Sequence, residues 1–584
     1  MISVLKKTII LCAGAALALG AQAASIRVGY CDGALAEKGY GKTGKTEMSG
    51  AVILTPEMLE PYIGCNITAV RAGITTTEGM TGFNVWVRSS LDGENLESMA
   101  LEQPQQGWNE VALSGSLAVD GSPLAVGFSF SQEKAVRCFS FTGDNRPDTR
   151  WLCKNGKWEE AKVNGVLSIE LVVTGDHLPS SDLALKSATP VKPIMKEGED
   201  AEIHVVMKNE ALTDIYGYAL SYSIDGGKET VIDIDGVVLV QQTVGGSIII
   251  GADKITPGQP HEVTVKAITG IDDNPDNNTL TCLLGAYTDS MPRRVLIEEF
   301  TTENCGNCPR AINTLKQCEE AGYGDRMAVV AHHAGYYTDW LTTDTDLKYE
   351  WFYDPTGQSG TYAPAVMLDR VVLEGQSVPV NSIGYFKDFE PTLQTAIERP
   401  AFVSVGVSSA FDEATRTLDV AVSGEKLDIF DVVGADSRIS IYVVEDGIPH
   451  RRQAGISSDT FTHSHVFRTC LTDVWGDAVE WNGNRMETKR SVAIPEDWEA
   501  DNLSVVAFIH NHNMDDVADC EVFNTAVAKA GESGVESVEA DEVVAVSYHR
   551  PDGTPAKADD LSSGLLIKTT AYSDGSRKTT KIIR

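Results

Sequence analysis

The chain has 584 residues, too many for a single hydrophobic core, and a prior of about one domain per 150 residues predicts about four domains. Its composition, 42% hydrophobic and 22% charged, is that of a globular protein and excludes a mainly disordered, fibrous or polytopic membrane protein. The formal net charge of −35 repels nucleic acid and anionic lipid. Charge therefore excludes nucleic acid as a partner and leaves proteins, glycans and cations.

The first 23 residues have the three parts of a secretory signal peptide. Lys6 and Lys7 are basic, residues 8–20 are apolar, and Ala21, Gln22 and Ala23 form an A-x-A cleavage signal. Cys12 lacks the preceding small residue that a lipoprotein signal needs, so we expect no lipid anchor. No later run reaches about 18 apolar residues, so no transmembrane span is predicted. We expect secretion across the inner membrane.

Two β-sandwich domains are predicted next. In residues 24–175, short apolar runs alternate with turn residues, which is typical of a sandwich or jelly roll. In residues 176–292, apolar and polar residues alternate again, which favours an immunoglobulin-like sandwich. The second half of the chain breaks this pattern once and then returns to it.

Two features of these sandwiches could mark ligand sites. Trp86, Trp108, Trp151 and Trp158 could form a glycan platform, but core packing is the commoner use of aromatic residues, and we assign no glycan site. The Asp/Asn-rich stretch 270–278 resembles the final turn of bacterial adhesion-type Ig-like modules and could bind Ca²⁺. Asx turns, which need no metal, are the favoured interpretation of that stretch.

The break comes at residues 293–400, which are predicted to be α/β. Residues 293–300 and 327–332 have strand patterns, and residues 308–321 between them have a helical stripe, so the three form a βαβ-like unit. Residues 382–399 are a later helical region, predicted to break or restart at Pro391.

The remaining domains are again β-rich. Residues 401–530 are predicted to form a third sandwich, and residues 531–584 a linker and a small β-rich tail. The predicted fold class is therefore multidomain and mostly β, with β-sandwich modules flanking one α/β domain.

The CxxC motif at Cys305 and Cys308 lies between the predicted strand and helix. At a helix N-terminus, exposed N–H groups and the helix dipole stabilise a thiolate. Cys305 would then attack a partner disulfide, and Cys308 would resolve the mixed disulfide. One alternative is a zinc site completed by His332 and His333; another is a permanent structural disulfide.

Without Cys12, ten of the eleven cysteines remain, an even number in an exported chain, which permits disulfides. Proximity favours three pairs, although sequence cannot fix connectivity: Cys31 with Cys65, Cys138 with Cys153, and Cys470 with Cys520. Cys318 is expected to pack in the core or to pair with Cys282. His463 and His465 alternate along a predicted strand and could form a metal pair, but packing or surface roles are favoured.

Residues 295–300, the CxxC motif and residues 360–368 together resemble the thioredoxin superfamily. The resemblance implies a central sheet with flanking helices, a cis-proline at Pro364 beside the active-site disulfide, and a buried acid at Glu299. That acid would accept the proton of Cys308. The chain departs from thioredoxin in having Asn304 before the first cysteine.

Two further resemblances concern location. The CxxC motif, the strand after Pro364 and segments 442–446, 463–468 and 505–508 resemble the 28-kilodalton outer-membrane protein family of Bacteroidetes. That family implies an envelope or surface protein with a thioredoxin-like domain on a β-sandwich. Residues 543–584 resemble the C-terminal sorting domain of type IX secretion, which implies that secretion machinery as a partner.

The leading prediction is an exported thiol–disulfide oxidoreductase that needs no cofactor or metal and acts on protein thiols and disulfides. Its site residues are Cys305, Cys308, Glu299 and Pro364. The alternative is a non-catalytic surface adhesion or scaffold protein, with a protein or glycan ligand and a structural CxxC disulfide. In either case we expect it at the outer membrane, on the cell surface or outside the cell.

Overall fold

The computed structural model describes residues 24–31, 34–143, 145–355, 359–450, 452–458, 460–514, 516–531, 533–534, 543–550, 554–556, 565–572 and 577–583. The predicted signal peptide lies outside the described residues. The chain divides into two compact units. The N-terminal unit comprises the chain up to Asp289 with Asp431–Val433 and Met514–Asp516, and the C-terminal unit comprises the rest.

The first part of the N-terminal unit is built from two main sheets. Its strands are β1 Ser25–Gly29, β2 Thr46–Leu54, β3 Asn66–Ile74, β4 Met80–Arg88, β5 Asn95–Ala100, β6 Gly107–Ala118, β7 Leu124–Gln132, β8 Phe141–Thr142, β9 Trp151–Lys154, β10 Lys157–Glu160, β11 Val166–Leu167 and β12 Ile169–Thr174, with helix α1 Pro56–Leu59. The sheet orders are β1-β12-β3-β6 and β10-β9-β2-β7-β4-β5, and β8 pairs with β11. Buried aliphatic and aromatic side chains such as Val70 and Phe128 form one core.

The second part of the N-terminal unit has its own core. Its strands are β13 Leu183–Pro190, β14 Ile194–Lys196, β15 Ala201–Asn209, β16 Ile215–Ile224, β17 Thr230–Val238, β18 Thr243–Ile250, β19 Pro260–Ile268 and β20 Thr279–Tyr287. They form sheets β13-β15-β18 and β14-β20-β19-β16-β17. Along β15, Ile203, Val205 and Met207 point into the core, as a period of two requires.

The C-terminal unit contains the remaining helices and strands. The helices are α2 Cys308–Cys318, α3 Asp344–Tyr349 and α4 Phe386–Glu398. The strands are β21 Val295–Phe300, β22 Met327–His332, β23 Ala365–Leu368, β24 Asn381–Ser382, β25 Val403–Asp412, β26 Thr417–Lys426, β27 Arg438–Glu445, β28 Ile448–His450, β29 Phe461–His463, β30 Val466–Cys470, β31 Asp477–Ala478, β32 Arg485–Ala493, β33 Leu503–His510, β34 Val522–Lys529, β35 Ser533–Gly534, β36 Val543–His549, β37 Pro555–Ala556, β38 Leu565–Tyr572 and β39 Arg577–Ile583.

Short helical turns connect several of these elements. They are Glu60–Tyr62, Ala252–Lys254, Pro275–Asn277, the π-helical Glu319–Tyr323, Gly324–Arg326, Glu350–Tyr353, Asp428–Val432 and Ala500–Asn502.

A mixed sheet of nine strands dominates the C-terminal unit. Its order is β24-β23-β21-β22-β30-β27-β33-β34, with β31 beside β27. β21 and β22 are parallel, as the βαβ pattern predicts, and β23 is antiparallel to β21. Because Ala331 on β22 pairs with Val466 on β30, strands of the predicted α/β domain and of the predicted third sandwich share this sheet.

The predicted fold class, mostly β with an α/β region, is confirmed by this architecture. The C-terminal tail forms a separate sheet, β37-β36-β38-β39. No helix within the described ranges is long and apolar enough to cross a membrane.

The three predicted disulfides between neighbouring cysteines are wrong, because the six residues are thiols. Two of these cysteines illustrate the contacts that the thiols make instead. Cys31 Sγ contacts Ile169 O at 3.9 Å, while Cys470 Sγ lies 3.1 Å from Thr472 Oγ1. Cys318, the last residue of α2, packs in the core, which was the first of its two expected roles.

Three smaller predictions concern single residues. Pro391 does not interrupt a helix, because α4 continues through it. Trp86 is buried, as core packing requires. Asp272 accepts a hydrogen bond from Asn274 N, two residues later, as the Asx-turn interpretation predicts, whereas Asp273 accepts one from the distant Ser181 N.

Candidate functional site

Cys305 and Cys308 form a disulfide at the start of α2. Their Cα atoms lie 5.4 Å apart, and Cys308 is the first residue of the helix. The bend before the helix is held by hydrogen bonds from Cys305 N to Thr302 O and from Cys308 N to Cys305 O. Pro309 fits the first turn because no N–H partner is needed there. The sequence prediction of a CxxC pair between a strand and a helix therefore matches the geometry.

A distant part of the chain packs against the loop that carries this disulfide. Gln453, Ala454 and Gly455, here called the covering segment, lie against the loop before α2. Gln453 Nε2 donates to Thr302 O at 3.1 Å and to Cys305 O at 3.0 Å, and Ala454 N donates to Glu303 O at 2.8 Å.

The fit of the covering segment depends on glycine. Gly455 has a φ of +84°, and a Cβ there would collide with Gly306 O. With this segment in place, Cys305 is 2% exposed and Cys308 is fully buried. Neither sulfur is open to a protein partner in this conformation.

Glu299 lies on β21 and lines a small cavity beside α2. The cavity, of about 140 Å³, is also lined by Leu315, His333, His463 and His465. Glu299 is 3% exposed, and its Oε1 has no hydrogen-bond partner among the described residues. Burial raises its pKa to about 8, and the nearby His465 opposes this shift. The carboxyl therefore stays protonated at neutral pH and could exchange a proton near pH 8.

Glu298, the neighbouring residue, points to the other face of the sheet, as the period of two in a strand requires. Its carboxylate accepts two hydrogen bonds from Arg370, at 2.7 and 2.8 Å, and lies 3.4 Å from His332 Nε2. Burial raises the pKa of Glu298, but Arg370 and His332 outweigh burial and hold it at about 2. Glu298 is thus a permanently charged member of a buried ion network.

Pro364 follows a cis peptide bond with Ala363 and precedes β23. β23 pairs with β21 so that Ala365 lies opposite Phe300. In the segment before Pro364, Tyr362 O accepts a hydrogen bond from the Tyr353 hydroxyl. The cis-proline expected from the thioredoxin resemblance is therefore found at the predicted position in the chain.

The zinc alternative is not supported by the positions of the two histidines. His332 Nδ1 lies 2.8 Å from Asp346 Oδ1, and its Nε2 faces Glu298. His333 Nδ1 lies 2.7 Å from Asp339 Oδ2. Among the described residues there is no group of three or more residues suited to hold a metal ion.

The predicted alternation of His463 and His465 along one strand is wrong. β29 ends at His463, and His465 has a φ of +58°, which takes it out of extended geometry. His463 is 4% exposed, while the His465 ring lies 3.5 Å from Glu319 and 3.4 Å from Asp446. Both residues nevertheless reach the cavity of Glu299.

A loop of exposed aromatic residues adjoins the CxxC loop. Tyr336, Tyr337 and Trp340 are each more than half exposed. The loop is fixed to the CxxC loop by Asp339 Oδ2, which accepts a hydrogen bond from Glu303 N at 2.8 Å. The covering segment and this loop are the parts of the site that the sequence analysis missed.

One family model matches part of the chain. Residues 352–532 match the family described as outer membrane protein Omp28. The predicted location at the outer membrane or cell surface agrees with this match. A search of curated proteins found no match.

Solved structures align with parts of the chain at low sequence identity and low TM-score. HBP35 of Porphyromonas gingivalis aligns over 51% of this chain and 100% of its own, with 18% identity and a TM-score of 0.37. A domain of the outer membrane lipoprotein Omp28 from Porphyromonas gingivalis aligns over 22% of this chain and 89% of its own, with 20% identity and a TM-score of 0.16. The CARDB domain of a Pyrococcus furiosus protein aligns over 19% of this chain and 89% of its own, with 13% identity and a TM-score of 0.15.

Proposed function

We propose that the protein is a non-catalytic binding or scaffold protein of the outer membrane or cell surface, with a structural disulfide between Cys305 and Cys308. The burial of this disulfide under the covering segment carries the proposal. A redox pair has to meet the sulfur of a partner protein, whereas a structural disulfide works best when solvent and other thiols are excluded. The Omp28 match supports the location.

The aromatic loop supports a binding role. Tyrosine and tryptophan are enriched at protein interfaces because they bury a large apolar area with few rotatable bonds. Tyr336, Tyr337 and Trp340 are presented on a loop that is anchored by Asp339 rather than packed in a core. We place the contact with a protein or glycan partner at these three rings.

The second candidate function is thiol–disulfide exchange by a thioredoxin-like domain. It is favoured by Glu299, a protonated buried acid on the strand that leads to the CxxC motif. In the reductive direction the Cys305 thiolate attacks a partner disulfide, forms a mixed disulfide and releases a partner thiolate. Cys308 then gives its proton to Glu299 in the chains where this carboxyl is ionised, a fraction that grows as the pH approaches 8. The Cys308 thiolate attacks Cys305 Sγ and releases the second partner thiolate. Pro364 would shape the surface that holds the partner strand.

Thiol–disulfide exchange also requires the covering segment to move away. Its main-chain and Gln453 contacts are a few hydrogen bonds, each worth about 1 kcal/mol net. The open conformation would therefore be a minor state of the free protein, or would form when a partner binds.

The C-terminal sheet would serve type IX sorting in either function.

The test is a mixed-disulfide trap in the native host. Cys308→Ala is expressed, the cells are quenched with acid, and thiol-sensitive adducts are sought, with Cys305→Ala/Cys308→Ala as the matched control. We expect no adduct that depends on Cys305 and a wild-type disulfide that resists mild thiols. Adducts lost in the control variant would refute the structural role and establish the exchange reaction.

A further inference from the structure

A second cavity lies in the N-terminal unit, and basic side chains form part of its wall. It has a volume of about 370 Å³ and lies over one face of the β13-β15-β18 sheet. Arg146, Lys186 and Lys208 all contribute to its wall. This size is within the range of small-molecule sites in proteins.

Among the described residues, Lys186 and Lys208 share one close carboxylate, that of Glu210. Lys186 Nζ lies 2.8 Å from Glu210 Oε1, and Lys208 Nζ lies 3.8 Å from the same oxygen. The Lys208 side chain is only 5% exposed, so its ammonium has lost most of its water without gaining a close carboxylate of its own. Arg146 Nη2 donates to a main-chain oxygen, that of Lys186, at 2.9 Å.

Glu210 and Asp182, the described carboxyl groups that interact with the lysines, do not balance their charge. Burial raises the pKa of Glu210, but Lys186 and Lys208 outweigh it, so Glu210 is a single ionised counter-ion for two ammonium groups. Burial raises the pKa of Asp182, the next carboxyl that interacts with Glu210, to about 7, so it is partly neutral at pH 7. A cationic cavity of this kind is unexpected in a chain with a net charge of −35.

The rest of the wall combines apolar side chains with the hydroxyl groups of Thr142, Ser187 and Thr243. Met58, Val166 and Val206 line the cavity together with Tyr30. Val206 and Lys208 are two residues apart on β15, so one sheet face presents an apolar and a cationic group side by side. Such a wall suits a molecule with an apolar body and one anionic group.

We propose that this cavity binds a small organic anion whose charged group lies at Arg146, Lys186 and Lys208 and whose apolar body lies against Met58, Val166 and Val206. The proposal is independent of the CxxC pair. It assigns to the N-terminal unit a ligand-binding role, and an oxygen-rich anionic group such as a carboxylate or sulfonate is the recognised chemistry.

The test compares two fluorescent probes on the full mature chain. 8-Anilinonaphthalene-1-sulfonate carries an anionic group, and N-phenyl-1-naphthylamine has the same apolar body without it. We expect saturable binding of the sulfonate at least tenfold tighter than that of the neutral probe. Equal affinity for the two probes would overturn the proposal.

Variants locate the binding. Lys208→Met should weaken sulfonate binding at least tenfold and leave the neutral probe unaffected, while Lys192→Met, at an exposed lysine of the same unit, should change neither. Arg146→Gln repeats the test at a half-buried position in case Lys208→Met does not fold. Sulfonate binding that survives in a folded Lys208→Met or Arg146→Gln variant would place the probe elsewhere and refute the assignment.

Competition separates an organic anion from a simple one. Benzoate should displace the sulfonate probe at lower concentration than inorganic phosphate does, because only benzoate has an apolar body for Met58 and Val206. Phosphate that competes as well as benzoate would contradict the proposed class of ligand.

Discussion

Two neighbouring glutamates on one strand have opposite ionisation because the strand turns them to opposite faces. Glu298 meets Arg370 and His332 and has a pKa of about 2. Glu299 meets a small cavity lined by Leu315 and histidines, and burial raises its pKa to about 8. The identity of the residue does not decide its chemistry here; the face of the sheet does.

The raised pKa predicts that Glu299 lowers the free energy of unfolding as the pH rises. Below about pH 4.5 its carboxyl is protonated in both the folded and the unfolded chain. Between about pH 4.5 and 8 only the unfolded chain loses the proton, so the free energy of unfolding falls by up to about 1.4 kcal/mol per pH unit from this group.

Glu299→Gln removes that loss. The variant should match wild type near pH 4.5 and be more stable than wild type at pH 8, as measured by urea unfolding at several pH values. Glu320→Gln, at an exposed residue after α2, is the matched control and should follow wild type throughout. A difference between Glu299→Gln and wild type that does not change with pH would contradict the raised pKa.

At this scale the sequence was informative where the signal was local. The patterns around the CxxC motif predicted a strand before it and a helix after it, and the resemblance around Pro364 predicted a cis-proline; the structure has all three. The disulfide pairs failed because proximity along the chain does not fix the direction of a side chain. Cys31, for example, faces Ile169 across the sheet rather than Cys65.

Among the elements, the covering segment has the largest influence on the candidate site. Gln453 contacts Cys305 O although it lies 148 residues later in the sequence. It follows β28 and precedes β29, two short strands that form a hairpin. The loop of this hairpin therefore brings the covering segment to the CxxC loop.

Loosening this segment should expose the disulfide. Gln453→Ala removes the hydrogen bonds to Thr302 O and Cys305 O, and Gly455→Ala introduces a Cβ that collides with Gly306 O. Both variants should be reduced by dithiothreitol several-fold to tenfold faster than wild type, because each lost hydrogen bond is worth about 1 kcal/mol.

The rate is measured by alkylation and mass spectrometry of the peptide that carries Cys305 and Cys308. Ser457→Ala, at an exposed residue later in the same loop, should react like wild type. Equal rates for all four proteins would show that the segment does not limit access.

Sequence patterns could not reveal this element. The period of two in a strand and the stripe of a helix report which face is buried, but a loop such as residues 452–458 has no period. Its contacts are made by one amide side chain and by main-chain groups, which any sequence carries. The shared sheet of β22 and β30 was missed for the same reason, since pairing partners are chosen in three dimensions.

For the whole molecule, the division into two units predicts two unfolding events. Each unit has hydrophobic cores of its own, one containing Phe128 in the N-terminal unit and another containing Tyr442 in the C-terminal unit. The Glu298–Arg370 pair is buried in the C-terminal unit. Scanning calorimetry should therefore show two transitions.

Single substitutions should then move one transition at a time. Glu298→Gln leaves Arg370 as a buried charge without its carboxylate, which costs about 3–5 kcal/mol and lowers the midpoint of one transition by several degrees at pH 7. Phe128→Ala creates a cavity in the core of the N-terminal unit and also costs about 3–5 kcal/mol. It should lower only the midpoint of the transition of that unit. A single transition, or two that both shift with either substitution, would mean that the whole chain unfolds as one cooperative body, because independent cores cannot transmit a local loss to each other.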